Sequence, residues 1–140
     1  MDTKVQTTRR ALRSQGLGMV FTLTIQYILG MISNLFVQFP DTSVQGQLWQ
    51  FAWSQISIAA HIILGLLLFI NAIVILNRAL TYKDRTWTVA ASIGLVSILV
   101  AIYGGVRFIQ TQNDPYSLVM SIAFILALLA YVWGLFKSKF

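Results

Sequence analysis

Apolar residues run along this chain in four long blocks, and the charged residues fall almost entirely in the gaps between them. The blocks cover approximately residues 16–37, 56–76, 87–108 and 116–136, each close to the ~20 residues that cross a bilayer as a helix. Only helices and closed barrels satisfy their backbone polar groups in lipid. The blocks lack the alternating polar positions of a barrel strand, so the pattern predicts helices. It predicts an all-α integral membrane protein: a single membrane domain over residues 1–140, folded as an up-down-up-down bundle of four transmembrane helices.

The punctuation between the blocks agrees with this. Residues 1–14 form a polar, basic lead-in, with an interfacial helix from about Thr7 as one reading. Pro40 ends the first span. Residues 38–55 form the one long connection, an outer loop in which Leu48, Trp49, Phe51 and Trp53 read as an interfacial aromatic belt or as a lid over an outward cavity. The turn around Lys83 and Asp84 is short enough to make the second and third spans antiparallel neighbours. Asn113, Asp114 and Pro115 supply the chemistry of a second outer turn. The first block is too long for a signal-peptide core and ends without a small-residue cleavage pattern, so it is expected to remain as a span.

Small residues indicate how the spans pack. Ser97, Ala101 and Gly105 recur every fourth residue, with Gly104 beside them; the last span carries Ala123 and Ala127, then Ala130 and Gly134. Such stripes let backbones approach closely. They read as internal seams, with a homodimer or partner membrane subunit as the alternative. No internal repeat is evident, which leaves an inverted-repeat transporter without support.

The net charge of +6 changes the picture only through its placement. Nine of the ten basic residues precede the first span, lie between the second and third, or follow the fourth; Arg107 alone lies toward the other side. This is a positive-inside pattern. It places both termini in the cytoplasm of a multi-pass cell-membrane protein (N-in, C-in), and points to anionic lipid headgroups rather than nucleic acid. Cysteine is absent, which removes disulfides and thiolate metal sites from consideration.

Polar residues within the spans carry the candidate chemistry, because each needs a partner there. Thr22, Gln26, Gly30 and Asn34 form a stripe at four-residue intervals on the first span, as do Ser57, His61 and Gly65 on the second. His61, the only histidine, lies about six residues outward of its span centre, roughly 9 Å at 1.5 Å per residue. Asn34, Tyr103 and Ser121 fall at a similar depth, with Arg107 one turn further out. The candidate binding residues are therefore His61, Asn34, Gln26, Tyr103, Arg107 and Ser121. One reading of His61 is a neutral imidazole hydrogen-bonded to Asn34 or Tyr103 to lock the bundle. The others are an axial ligand to heme iron, a proton-responsive group, or a contact to a quinone-like or lipid ligand. Asn71 and Asn77, toward the cytoplasmic side, are assigned to packing. No carboxylate is expected inside the spans, so neither an acid/base pair nor a carboxylate relay is available.

The segment LGMISNLFVQFP, from Leu29 to Pro40, and AHIILGLLLF, from Ala60 to Phe69, resemble a family of small four-span bacterial membrane proteins. Those proteins share a Gly-Met, an Asn-Leu-Phe/Tyr-Val and a proline closing the first helix, and a His-x-x-Leu-Gly-like start to the second. The resemblance implies the four-span fold and the importance of Asn34 and His61, and it names no reaction. The first two spans are also similar to the helix hairpins of heme A synthase. There a Gln-x-x-Leu-Gly helix precedes an outer loop and a helix with a heme-ligating histidine; here Gln26 to Gly30 reads QYILG and His61 stands where that ligand would be. The chain departs from that pattern in lacking a second histidine, an acidic-x-x-His-Arg helix and an outer cysteine pair.

Three functions remain in view. The first is a non-enzymatic membrane protein with a polar outer-leaflet site around His61. The second is a heme- or quinone-associated redox protein using that histidine. The third is a small oligomeric transporter, against which the concentration of polarity in the outer half argues. The orientation has its own test: after Ser43→Cys the thiol should label with an impermeant reagent from outside, and after Asp84→Cys it should not. The reverse labelling pattern would refute the N-in topology.

Overall fold

The computed structural model describes residues 3–41 and 44–138, with side chains from Arg10 onward and at Thr7. The labelling position Ser43 and the side chains of Lys4, Arg9 and Lys139 lie outside the described residues. Five helices follow one another: α1 (Thr3–Phe36), α2 (Gln45–Ser54), α3 (Ile56–Thr81), α4 (Arg85–Thr111) and α5 (Asp114–Lys137). Four of them are long and apolar enough to cross a membrane, over Arg10–Phe36, Ile56–Thr81, Arg85–Thr111 and Asp114–Lys137.

Two expectations are corrected. The lead-in is not a separate interfacial helix: α1 runs unbroken from Thr3, since nothing between Thr7 and Gly16 interrupts helical hydrogen bonding. The connection over residues 38–55 is not simply a loop, because it contains α2. There Leu48 and Ala52 share one face and are buried, while Trp53 is exposed. That four-residue spacing is a helical period, short enough to be hidden among the aromatics.

Local chemistry explains the breaks. After α1 the last backbone bond runs from Val37 N to Ser33 O, and Pro40 follows. Between α3 and α4, Lys83 adopts the left-handed conformation at φ 53°. Its N–H bonds to Leu80 O at 3.1 Å and that of Asp84 to Ala79 O at 3.0 Å, which closes α3 as a Schellman turn. Asp84 then caps α4 by accepting from Trp87 N at 3.1 Å. Gln112, at φ 52°, ends α4, and Pro115 sits in the first turn of α5.

The long helices form an antiparallel bundle in which α1 packs on α3 and α5, α3 on α4, and α4 most extensively on α5. Gly16 of α1, Trp87 of α4 and Gly134 of α5 meet at one end, where Arg78 of α3 also reaches Gln15 of α1. The first part of α1, the last turns of α5 and the α3–α4 turn therefore share this end, called the basic end below. Its core is filled by large side chains on small ones. Trp87 is fully buried, and a Cβ on Gly16 would strike its ring; one on Gly134 would lie 3.2 Å from Trp87 Cζ3. Tyr131, also fully buried, lies so close to Gly94 that a Cβ there would come within 2.5 Å of Cε2. On α5 the whole expected stripe, Ala123, Ala127, Ala130 and Gly134, is buried; on α4 Ser97 and Gly104 are buried together with Gly94, which the stripe did not include, while Ala101 and Gly105 are only half-buried. Large apolar residues point outward as well, with Ile56 88% and Phe136 86% exposed.

Gly94→Val should push Tyr131 out of its seat and lower stability by about 1–3 kcal/mol. Gly18→Ala, where a Cβ meets nothing within 4 Å, should leave the protein unchanged or slightly firmer. Thermal unfolding of both variants in detergent distinguishes a close seam from glycine chosen for other reasons.

Candidate functional site

At the far end the bundle opens. One apolar cluster (Leu48, Ala52, Ile58 and Ile109) joins α2 to the tops of α3 and α4; a larger one fills the basic half. Between them lies a cavity of about 450 Å³. Leu23, Leu68 and Ile98 form its floor, and Phe39 and Trp49 border it at the α2 end. Phe39 is anchored there by Phe51, with ring centroids 5.3 Å apart, and by an edge-on contact to Phe108 at 6.0 Å. Tyr27 and Phe124, stacked at 5.0 Å across the α1–α5 seam, form part of the wall.

His61 and Gln26 meet on that wall as a reciprocal pair. Gln26 Nε2 donates to the His61 carbonyl at 2.9 Å, and His61 Nδ1 lies 3.1 Å from the Gln26 carbonyl. A carbonyl oxygen can only accept, so Nδ1 carries the proton and the Gln26 amide is oriented with its nitrogen toward His61. Each side chain also rests on a glycine of the other helix. A Cβ on Gly30 would lie 3.0 Å from His61 Cε1, and one on Gly65 would lie 3.1 Å from Gln26 Nε2. The sequence repeats the same spacing on both helices, Gln26 with Gly30 and His61 with Gly65. Glycine at each second position is what lets the polar group reach the opposite backbone.

The expected partners of His61 are thereby corrected. Asn34 is exposed and borders the cavity without bonding to the ring. Tyr103 is 60% exposed and faces elsewhere, edge-on to Tyr116 at 6.5 Å. Arg107 stacks over the same Tyr116 ring at 5.5 Å, a cation–π contact. Tyr103 and Arg107 form an aromatic–cation group apart from the cavity wall, since their α4 positions turn away from α1. Ser121 does border the cavity, but its hydroxyl donates along α5 to Ser117 O at 3.1 Å. Thr22 likewise returns its hydroxyl to Gly18 O at 2.8 Å.

Two polar atoms near the pair have no hydrogen-bond partner among the described residues: Gln26 Oε1 and Ser33 Oγ, both buried on residues that border the cavity. Ser33 did not stand out in the sequence, because serine in a helix usually bonds back to its own turn. A second polar connection also went unnoticed. Toward the basic end Gln15 Nε2 donates to Asn71 Oδ1 at 2.8 Å, and Arg78 donates to Gln15 Oε1 at 3.0 Å. The packing role assigned to Asn71 fits this arrangement. Gln15 and Gln26 are eleven residues apart, about three turns, and so lie on one face of α1. Among the described residues no three His, Cys, Asp or Glu side chains gather as a metal site.

Gln26→Leu and His61→Leu should each remove one interhelical bond and cost about 0.6–1.7 kcal/mol. His61→Gln, which keeps a donor, should retain most of it. Chemical unfolding in mixed micelles reads the three variants; equal stability in all of them would mean that the pair contributes nothing. Gly30→Val should cost more than His61→Leu, because it displaces the ring without removing it. No protein-family model, curated protein or solved structure matches this chain, so the assignment of this site rests on its own geometry.

Proposed function

We propose that this chain is a non-enzymatic membrane protein, with both termini in the cytoplasm, whose outer-leaflet half holds an apolar small molecule beside the His61–Gln26 pair. The observation that carries the reading is the cavity of about 450 Å³. Protein interiors are close-packed, so a partly open, mainly apolar space of this size between the helices is room for something other than the chain. Its size falls within the ~300–1,000 Å³ of small-molecule pockets.

The membrane placement is supported by the outward apolar surfaces of four helices and by the basic residues Arg10, Arg13, Arg78, Lys83, Arg85 and Lys137 at one end. Packing also favours binding over transport. The basic half is filled by Trp87 and Tyr131, so the pocket has a floor and does not continue as a pore.

Native mass spectrometry of the detergent-purified protein should find an apolar molecule retained. Ala101→Phe, which places a ring in the cavity bordered by Ala101, should release it without lowering the thermal midpoint. Equal retention by both proteins would place the molecule elsewhere.

One observation favours a second reading, a heme- or quinone-associated redox protein. With Nδ1–H committed to the Gln26 carbonyl, the neutral ring of His61 has its lone pair on Nε2. This is the state in which histidine ligates iron, its other nitrogen held by a carbonyl. His61 would hold the iron, and the heme would supply one-electron chemistry. An absorbance spectrum, oxidised and dithionite-reduced, tests this. A Soret band lost in His61→Ala establishes ligation; a featureless visible spectrum from folded protein expressed with heme available removes it.

A further inference from the structure

We infer that the cavity takes the hydrocarbon chain of an outer-leaflet phospholipid, admitted sideways through a slot between α1 and α5 while the headgroup stays at the membrane surface. This deepens the pocket reading above and rests on it.

Exposure locates the slot. Four of the residues that border the cavity are also exposed: Tyr27, Met31, Asn34 and Leu66. A side chain that borders the cavity and the outside together marks a gap in the wall. Leu66 stands alone on α3. The other three lie at i, i+4 and i+7 on α1 and so share one edge of that helix, the edge on which Tyr27 meets Phe124 of α5. Since α5 runs antiparallel to α1, Phe124, Ser121 and Ser117 climb the opposite edge toward the same end, and all three border the cavity. The Tyr27–Phe124 stack is the sill of this opening. Of the four seams around the bundle, the one between α1 and α5 is the least extensive.

The other sides are closed. Leu23, Leu68 and Ile98 form the floor. At the far end α2 covers the cavity, with Leu48 and Ala52 buried against Ile58 and Ile109. The Gln26–His61 pair closes the seam between α1 and α3.

The surroundings of the slot select the occupant. Beside it Ile28, Ile32 and Leu35 of α1 and Leu118, Ile122 and Ile125 of α5 are exposed and apolar, so in the proposed membrane placement it meets lipid rather than water. From Asn34 to Leu23 on the floor is eleven residues, about 16 Å at 1.5 Å per residue. That is close to half of a ~30 Å hydrocarbon core, the depth of one leaflet. No carboxylate or cationic side chain borders the cavity among the described residues. A hydrocarbon chain needs none, whereas a charged headgroup inside would stay unpaired. The slot is open up to Asn34 and Ser117, two residues from the end of α1 and three from the start of α5. A headgroup at that level keeps its water while the chain swings inward.

The test uses the full chain in nanodiscs of phosphatidylcholine carrying a photoactivatable diazirine near the methyl end of one chain, with cross-links mapped by peptide mass spectrometry. Chains that remain in the bilayer label outward residues such as Ile122 and Ile125. A chain lodged in the cavity labels Leu23, Leu68 and Ile98, which at 3%, 3% and 5% exposure are shielded from bulk lipid. Floor labelling is expected in the unaltered protein and should fall to background in Ala101→Phe, which fills the cavity. It should fall likewise in Met31→Trp, which narrows the slot from α1, and in Ser121→Phe, which narrows it independently from α5. Floor labelling that persists in both slot variants overturns the route between α1 and α5. Labels confined to outward residues, with a non-lipid apolar molecule retained in native mass spectrometry, overturn the lipid chain and leave the pocket standing. Labels confined to outward residues with no molecule retained overturn both.

Discussion

In the membrane placement proposed above, a bundle whose outer surface is as apolar as its interior gains little by burying hydrophobic area, so its helices are held by close approach and by hydrogen bonds between them. Close approach is concentrated around Trp87 and Tyr131. The indole occupies ground that only glycine at positions 16 and 134 leaves open, drawing α1 and α5 onto α4. Tyr131 uses Gly94 in the same way. Two large rings seated on three glycines therefore determine the spacing of α1, α4 and α5 at the basic end.

The far half follows from that arrangement. No ring of comparable depth fills the space above Leu23, Leu68 and Ile98, and the helices are kept together there by other means. The Gln26–His61 pair ties α1 to α3, the Tyr27–Phe124 stack ties α1 to α5, and α2 ties the far ends of α3 and α4. These contacts lie around a volume rather than within it. The hollow is the counterpart of the dense floor, and the same helices supply both.

The pair also links stability to recognition. Because each side chain bonds to the backbone of the opposite helix, the side chains do not saturate each other. One amide N–H and Oε1 of Gln26 and Nε2 of His61 are left over, on residues that border the cavity. The choice of backbone as partner in turn requires glycine at positions 30 and 65, which ties helix spacing and pocket chemistry to the same four residues.

Much of this was legible in the sequence. The four long helices, the antiparallel order and the α4–α5 seam follow from block length, turn chemistry and small-residue spacing, because each is a local or strictly periodic property. Gln26, Asn34, His61 and Ser121 were also recognisable as polar residues with few partners within reach. The identity of those partners was not. Whether His61 meets Asn34, Tyr103 or Gln26 depends on the rotation of α3 against α1, and that rotation is decided by which glycines face across the seam. The same applies to α2, whose two buried residues signal a helix only once a surface exists for them to cover. By itself the sequence determined the length, order and packing faces of the helices. Only the tertiary structure decided how those faces rotate against each other, because a cavity and a reciprocal hydrogen bond exist only between elements, where no periodicity along one chain segment records them.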